Sequence, residues 1–298
     1  MRATIVALAV AALGAGLLAE QQVFRAGVDL VTFGVTGVDK KGNLVSDLTR
    51  EELEILEDGR PQTIKYFTRG LGEGEAPATH LGLMLDTSAS MEADLKLARS
   101  AAVKFLNLVP EAKDITLVDF DTEVRVTRYP QRDFARLVER IRMRKPDGWT
   151  ALYDALGVYL DGADGLDGRT ILVMYTDGAD SRSKLNFPQI LELLRASRVT
   201  VYAVGLVEHA GRHRMELQMR LQQMVEATGG QVFFPSNLKD LEASYAKVLD
   251  EITAQYQLGY ASTNLAQDGS WRKVEIRTTR SNVKLRSRLG YFAVYKEQ

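Results

Sequence analysis

The sequence predicts an α/β fold, a doubly wound, mostly parallel sheet with helices on both faces, and three observations carry that prediction. Short apolar runs without internal alternation recur between residues 80 and 255: "HLGLMLD", "DITLVDFD", "RTILVMYTD", "VTVYAVGL" and "QVFFP". Between them lie stretches with apolar residues at helical spacing: "ADLKLARSAAVKFLNLV", "DFARLVERIRM", "ALYDALGVYL", "PQILELLRAS", "HRMELQMRLQQMVEAT" and "LKDLEASYAKVLDEITAQ". A strand apolar on both sides must be covered on both sides, and parallel neighbours need a long crossover, which a helix supplies. The third observation is an exception. "EVRVTRY" follows "DITLVDFD" after only the Asp121-Thr122 turn, so it is expected as an antiparallel edge strand.

The two ends of the chain read as β structure. "VDLVTFGV" places Val31, Phe33 and Val35 on one face, and "DKKGN" makes a turn before Leu44-Val45. Thr49 stands three residues before Glu52, the spacing of a capping box over one helical turn. Asp58-Gly59 signals a hairpin. "GLGEGEAPAT", from Gly70, supplies a linker over 71–79. After residue 255, "YQLGYAS", "RKVEIRT" and "NVKLRSR" return to strand patterning. Neither end is long enough for a core of its own. Residues 20–70 and 256–298 are therefore expected to pack together as one small discontinuous β domain, with the α/β domain, 80–255, inserted between them.

Composition narrows the function. The 298 residues are 45% hydrophobic and 26% charged, with a net charge of -1, so no global basic field marks a nucleic-acid partner. Met1-Arg2, the apolar run at 3–19 and the abrupt Glu20-Gln21-Gln22 read as a signal peptide over 1–19, cut after Ala19. Export to the periplasm or beyond is the expectation, with membrane association only through an uncleaved leader. The absence of cysteine excludes a lipoprotein anchor, disulfides and thiolate metal sites, and suits a bacterial envelope protein.

The candidate site lies where apolar strands stop. "HLGLMLD" ends at Asp86, with Ser88 and Ser90 following at alternate positions. Thr150 stands just ahead of an expected helix, and "ILVMYTDGADS" ends another strand at Asp177, followed by Gly178. Open α/β sheets bind ligands beyond the carboxyl ends of their strands. Two carboxylates and three hydroxyls at such junctions form an all-oxygen set suited to Mg²⁺, with Mn²⁺ or Ca²⁺ as alternatives.

The D-x-S-x-S run, the later Thr before a helix and the still later T-D-G resemble the metal-ion-dependent adhesion site of von Willebrand factor A domains, over residues 80–255. "VDLV", "LTREELEILEDGRPQTI" and the terminal "GYFAVY" are similar to the flanks of the bacterial VWFA-related family first described from acidobacteria. The resemblance implies a Rossmann-like A-domain fold. It also implies that Asp86, Ser88, Ser90, Thr150 and Asp177 hold Mg²⁺, some directly and some through water, with a carboxylate from a protein partner completing the shell. The implied role is non-enzymatic binding. Trp149 stands where many relatives have Gly, and is either a partner contact or a lid on its own loop.

Other readings compete. Ser88 and Ser90 also suit helix caps. A serine nucleophile lacks G-x-S-x-G, and the chain has only three histidines. His80 falls at the far end of the strand from Asp86. His209 and His213 share helical spacing, with Glu208 or Glu216 as a third zinc ligand. Met215, Met219 and Met224 read as core rather than a cofactor box, and "RLVERIRMRK" at 136–145 as a solvated basic face. An alternative function, assembly subunit of an ATP-driven chelatase or AAA+ machine, conflicts with the export signal.

Overall fold

The computed structural model describes residues 30–70, 78–109 and 112–295. The expected signal peptide and most of the expected linker lie outside the described residues. Five strands come first: β1 (Val31–Asp39), β2 (Leu44–Val45), β3 (Leu53–Glu57), β4 (Arg60–Gln62) and β5 (Ile64–Arg69). The alternating region then runs β6 (Thr79–Asp86), α1 (Leu95–Leu108), β7 (Asp114–Phe120), β8 (Val124–Pro130), α2 (Phe134–Met143), α3 (Leu152–Asp164) and β9 (Arg169–Thr176). It continues through α4 (Phe187–Ala196), β10 (Thr200–Gly205), α5 (Arg214–Ala227), β11 (Val232–Phe233) and α6 (Leu238–Ala254). Last come β12 (Tyr256–Tyr260), β13 (Trp271–Thr278), β14 (Val283–Arg286) and β15 (Gly290–Phe292).

One sheet has the order β11-β10-β9-β6-β7-β8. Its pairings are parallel except that β8 runs antiparallel to β7. Alternation of side chains along each strand divides the core in two. Leu81, Leu83 and Leu85 of β6 pack with Phe105 of α1, Leu137 of α2 and Val248 of α6. Met84 faces the other way, with Leu156 of α3, Ile190 of α4 and Leu221 of α5. Every residue from His80 to Asp86 is buried, which is why the run carries no polar alternation. Gly82 interrupts it for a steric reason: a Cβ there would lie 2.3 Å from the Tyr159 hydroxyl oxygen.

The remaining strands form two further sheets, in the orders β14-β1-β12-β5 and β15-β13-β3-β4. Both join strands from before β6 to strands after α6. Phe33 and Val35 of β1, Ile55 of β3, and Leu258 and Tyr260 of β12 share one apolar cluster. Asp58 (φ 48°) and Gly59 (φ 79°) both occupy left-handed backbone in the β3–β4 turn, as a two-residue hairpin with native twist requires.

Arginines fasten these strands to the α/β region. Arg286 Nε donates to the Gly229 carbonyl at 3.0 Å and Nη1 to Gln231 at 2.6 Å, while Nη2 pairs with the buried Glu251 of α6. Arg288 donates to the carbonyls of Ser197, at 3.0 Å, and Thr32, at 2.9 Å. Within the α/β region, Arg169 Nη2 of β9 reaches the Ile252 carbonyl at 2.7 Å and Gln255 Oε1 at 2.9 Å, holding the end of α6.

One expectation is corrected. Met215 and Met219 are 74% and 56% exposed, and only Met224 is buried. The step from 219 to 224 is five residues, which turns the helix face away. The core face of α5 is Leu217, Leu221, Met224 and Val225, the spacing an amphipathic helix needs.

Burial pushes the Glu251 carboxyl above its ordinary value, against the pull of Arg286. Removing Arg286 strands that charge. Arg286→Ala is expected to cost about 3 kcal/mol or more in chemical denaturation, and Glu251→Gln in the same chain is expected to recover part of the loss.

Candidate metal centre

β6 delivers Asp86, its last residue, fully buried at the carboxyl edge of the sheet. Asp86 Oδ1 accepts from the Ser88 N–H at 3.0 Å and from Ser88 Oγ at 2.6 Å. Oδ2 accepts from Thr176 Oγ1 at 2.6 Å. The Ser88 and Ser90 hydroxyls lie 3.0 Å apart. Neither the short 3-10 turn Ala89–Met91 nor α1 has a side-chain cap bond at its start. The serine hydroxyls therefore serve the carboxylate and each other, not a helix end.

Asp177 follows β9 and is 8% exposed; its Oδ1 accepts from Ala179 N–H at 2.9 Å. Gly178 makes that turn possible, with φ at 82° and a would-be Cβ 2.8 Å from Leu221. Thr150 is buried, and its N–H donates to Ser181 Oγ at 3.0 Å. Backbone bonds draw the three loops together. The Ala89 N–H donates to the Gly148 carbonyl, Asp147 N–H to Thr87, and both Ser181 N–H and Arg182 N–H to Thr150. Among the described residues, no hydrogen bond joins the Thr150 or Asp177 side chain directly to Asp86. Trp149 is 65% exposed, so it is not packed under its own loop.

Sequence reasoning missed three contributors. Thr176 holds Asp86 Oδ2 and accepts from Gly178 N–H at 3.0 Å; a hydroxyl ending an apolar strand just before Asp177 was its signal. Asp180 and Ser183 cap α3 from outside, accepting from the Tyr153 and Asp154 N–H groups at 3.0 Å each. That cap fixes the start of α3, and hence Thr150, against the Asp177 loop.

The histidines go elsewhere. His80 is buried 3.0 Å from Asp114. His209 lies 2.9 Å from Asp94, His213 lies 3.8 Å from Glu216, and Glu208 pairs with Arg214, so the alternative zinc set is not assembled. Among the described residues no group of three or more His, Asp or Glu is placed to hold a metal. The Asp86 set has two carboxylates and completes its donors with hydroxyls.

Electrostatics decides whether the set suits a cation. Burial first, and the Asp177 charge second, push the Asp86 carboxyl up to about 7, against the opposing pull of its hydroxyl and amide donors. Among the described residues neither carboxylate is in a salt bridge. An oxygen-only donor set, buried except at Ser90 and with unanswered negative charge, fits a divalent cation. A basin of about 540 Å³ opens alongside, lined by Ser90, Asp94, Asp177, Asp180, His209 and Glu216 among others.

Residues 81–179 match the family model described as von Willebrand factor type A domain. The match covers about a third of the chain and supports an A-type domain over those residues. No curated protein matches it. Among solved structures, the PilB minor pilin from Streptococcus sanguinis is 14% identical with a TM-score of 0.50, over 61% of this chain and 63% of the pilin. The chain thus spans a little under two thirds of that pilin, and the likeness is one of fold. A von Willebrand factor type A protein from Catenulispora acidiphila is 12% identical (TM-score 0.49, 84% of this chain, 76% of that one). Proximal thread matrix protein 1 from the mussel byssus, solved with a zinc-occupied MIDAS motif, is 18% identical (TM-score 0.49, 67% of this chain, 50% of that one).

The raised Asp86 carboxyl has a pH signature. Between its ordinary value of 3.8 and about 7, the folded chain holds a proton that the unfolded chain has released. Stability from that proton falls as pH rises through this window. In chelator, the melting temperature is expected to drop from pH 5 to pH 8. Asp86→Asn should flatten the profile, and saturating Mg²⁺ should restore wild-type stability at pH 8.

Proposed function

We propose that this chain is a non-enzymatic binding protein that grips an acidic protein partner through a divalent cation, Mg²⁺ in the first instance. Asp86, Ser88, Ser90, Thr150 and Asp177 would hold the ion. The observation that carries this reading is Asp86: wholly buried, served only by hydroxyl and amide donors, and facing Asp177 with no basic side chain to answer either charge. A bound divalent ion supplies that missing charge. With only two protein carboxylates it stays electrophilic toward a carboxylate from outside. Ser90 and Trp149, both exposed, offer a partner access at the rim. Trp is enriched at binding hot spots, which makes Trp149 the candidate contact.

The envelope or extracellular location in this proposal rests on the leader-like residues 1–19. The domain division is likewise a proposal. A doubly wound body, 80–255, carries the metal site, and a β unit built from 20–70 and 256–298 carries the body.

Calorimetric titration of the chelator-treated full chain with Mg²⁺ tests the site. Wild type is expected to bind, and Asp86→Ala and Asp177→Ala to lose at least tenfold in affinity. Mg²⁺ at about a hundred times its Kd should add roughly 2.7 kcal/mol of stability. Wild-type affinity in Asp86→Ala would refute the assignment. Capture of a partner from an envelope fraction should need Mg²⁺ and vanish in EDTA, while Trp149→Ala weakens capture and leaves the Mg²⁺ titration unchanged. A fragment 80–255 is expected to melt cooperatively, and a fragment 20–72 to show no transition.

A further inference from the structure

The charge of this chain is unevenly spread. Residues 124–145, covering β8, α2 and the start of the next loop, hold eight Arg or Lys and two Asp or Glu, a net charge of +6 in a chain of net charge -1. β8 is the edge of its sheet. Three arginines converge on one buried carboxylate: Asp119 lies 2.7 Å from Arg125, 2.6 Å from Arg144 and 3.5 Å from Arg140. Beyond that pin, Arg128, Arg132, Arg136, Arg142 and Lys145 are all exposed, and none is in a salt bridge among the described residues. Arg136 and Arg140 stand four apart on α2, and Arg132 lies in the short 3-10 turn just before it. Arg128, Arg136 and Arg140 line a groove of about 340 Å³ with Asp133, Glu139 and Met143. Nη2 of Arg144 and Nε and Nη2 of Arg99 are buried without a hydrogen-bond partner, and Arg99 Nη1 contacts the Arg142 carbonyl at 3.4 Å.

We propose that the β8–α2 edge is a docking surface for an anionic lipid membrane, with the guanidinium groups taking headgroup phosphates. Seven of the eight basic residues are Arg, whose planar fork matches phosphate oxygens in pairs. Met143 is 75% exposed and Val126 45% exposed, so apolar tips project among the cations, the combination that seats a protein at a lipid interface. Nucleic acid fits less well. Tyr129 and Phe134, the aromatic residues of this segment, are half-buried, which leaves no open ring for a base to stack on. The surface is independent of the metal site, so it stands or falls separately.

The test is co-sedimentation of the full chain, in EDTA, with vesicles of phosphatidylcholine alone or with 30% phosphatidylglycerol. The uncharged vesicles report any binding by the apolar run at 3–19. Wild type is expected to prefer the anionic vesicles and to lose that preference as salt rises. Neutralising Arg128, Arg132 and Arg136 together as Gln should weaken anionic binding about a hundredfold. The same positions as Lys should stay within a few-fold of wild type, and Met143→Ser should fall several-fold. Melting curves confirm that each variant is folded. Equal binding of wild type and the triple Gln variant overturns the proposal. So does tighter binding to a single-stranded oligonucleotide or a sulfated polysaccharide than to the anionic vesicles.

Discussion

The burial of Asp86 is the constraint on which the rest of the site depends. β6 is sealed on both faces by apolar side chains, so the residue ending it begins inside the protein. A carboxylate in that position is unfavourable unless hydrogen-bonded and neutralised. The Ser88 and Thr176 hydroxyls meet the first need. The second is not met by any side chain, and Asp177 works against it. A cation is the simplest way to satisfy both carboxylates, and the loops around them are tied to one another in a way that would hold them for it.

Those ties are mostly backbone. The Asp86, Thr150 and Asp177 loops exchange main-chain bonds through Ala89, Gly148, Thr87, Asp147 and Ser181, and side-chain caps from Asp180 and Ser183 lock the start of α3 to the third loop. Main-chain contacts of this kind hold the three loops in place whatever the side chains do. Arg286 and Arg288 join the α/β body to the strands that flank it in sequence. The junction is polar and satisfied largely through carbonyl oxygens, which fixes orientation more than it adds stability.

The strand runs and helical patterns between residues 80 and 255 were legible because burial on two faces writes continuous apolar strands into a sequence, and crossover helices write a 3.6-residue period. Asp86, Ser88 and Ser90 were legible as a group from their spacing, but β6 ends at Asp86 and Ser90 lies in the following 3-10 turn, so it is that turn, not strand alternation, that brings the hydroxyls together. The role of α5 was misread in part, because a methionine is compatible with either face and only the register of Leu217 and Leu221 decides which. The serines' competing capping role could be dismissed only once their hydroxyls were placed against Asp86.

By itself, the sequence determined which residue types stand at the ends of the apolar strands, and therefore which oxygens are available near the sheet edge. Tertiary structure alone decided that Asp86 is wholly buried, that Thr176 supports it, that His209 turns to Asp94, and that Arg125, Arg140 and Arg144 converge on Asp119. The physical reason is range. Local periodicity follows from backbone geometry over a few residues, whereas burial, charge proximity and partner choice are set by segments such as 86 and 176, or 94 and 209, that meet only when the sheet is assembled.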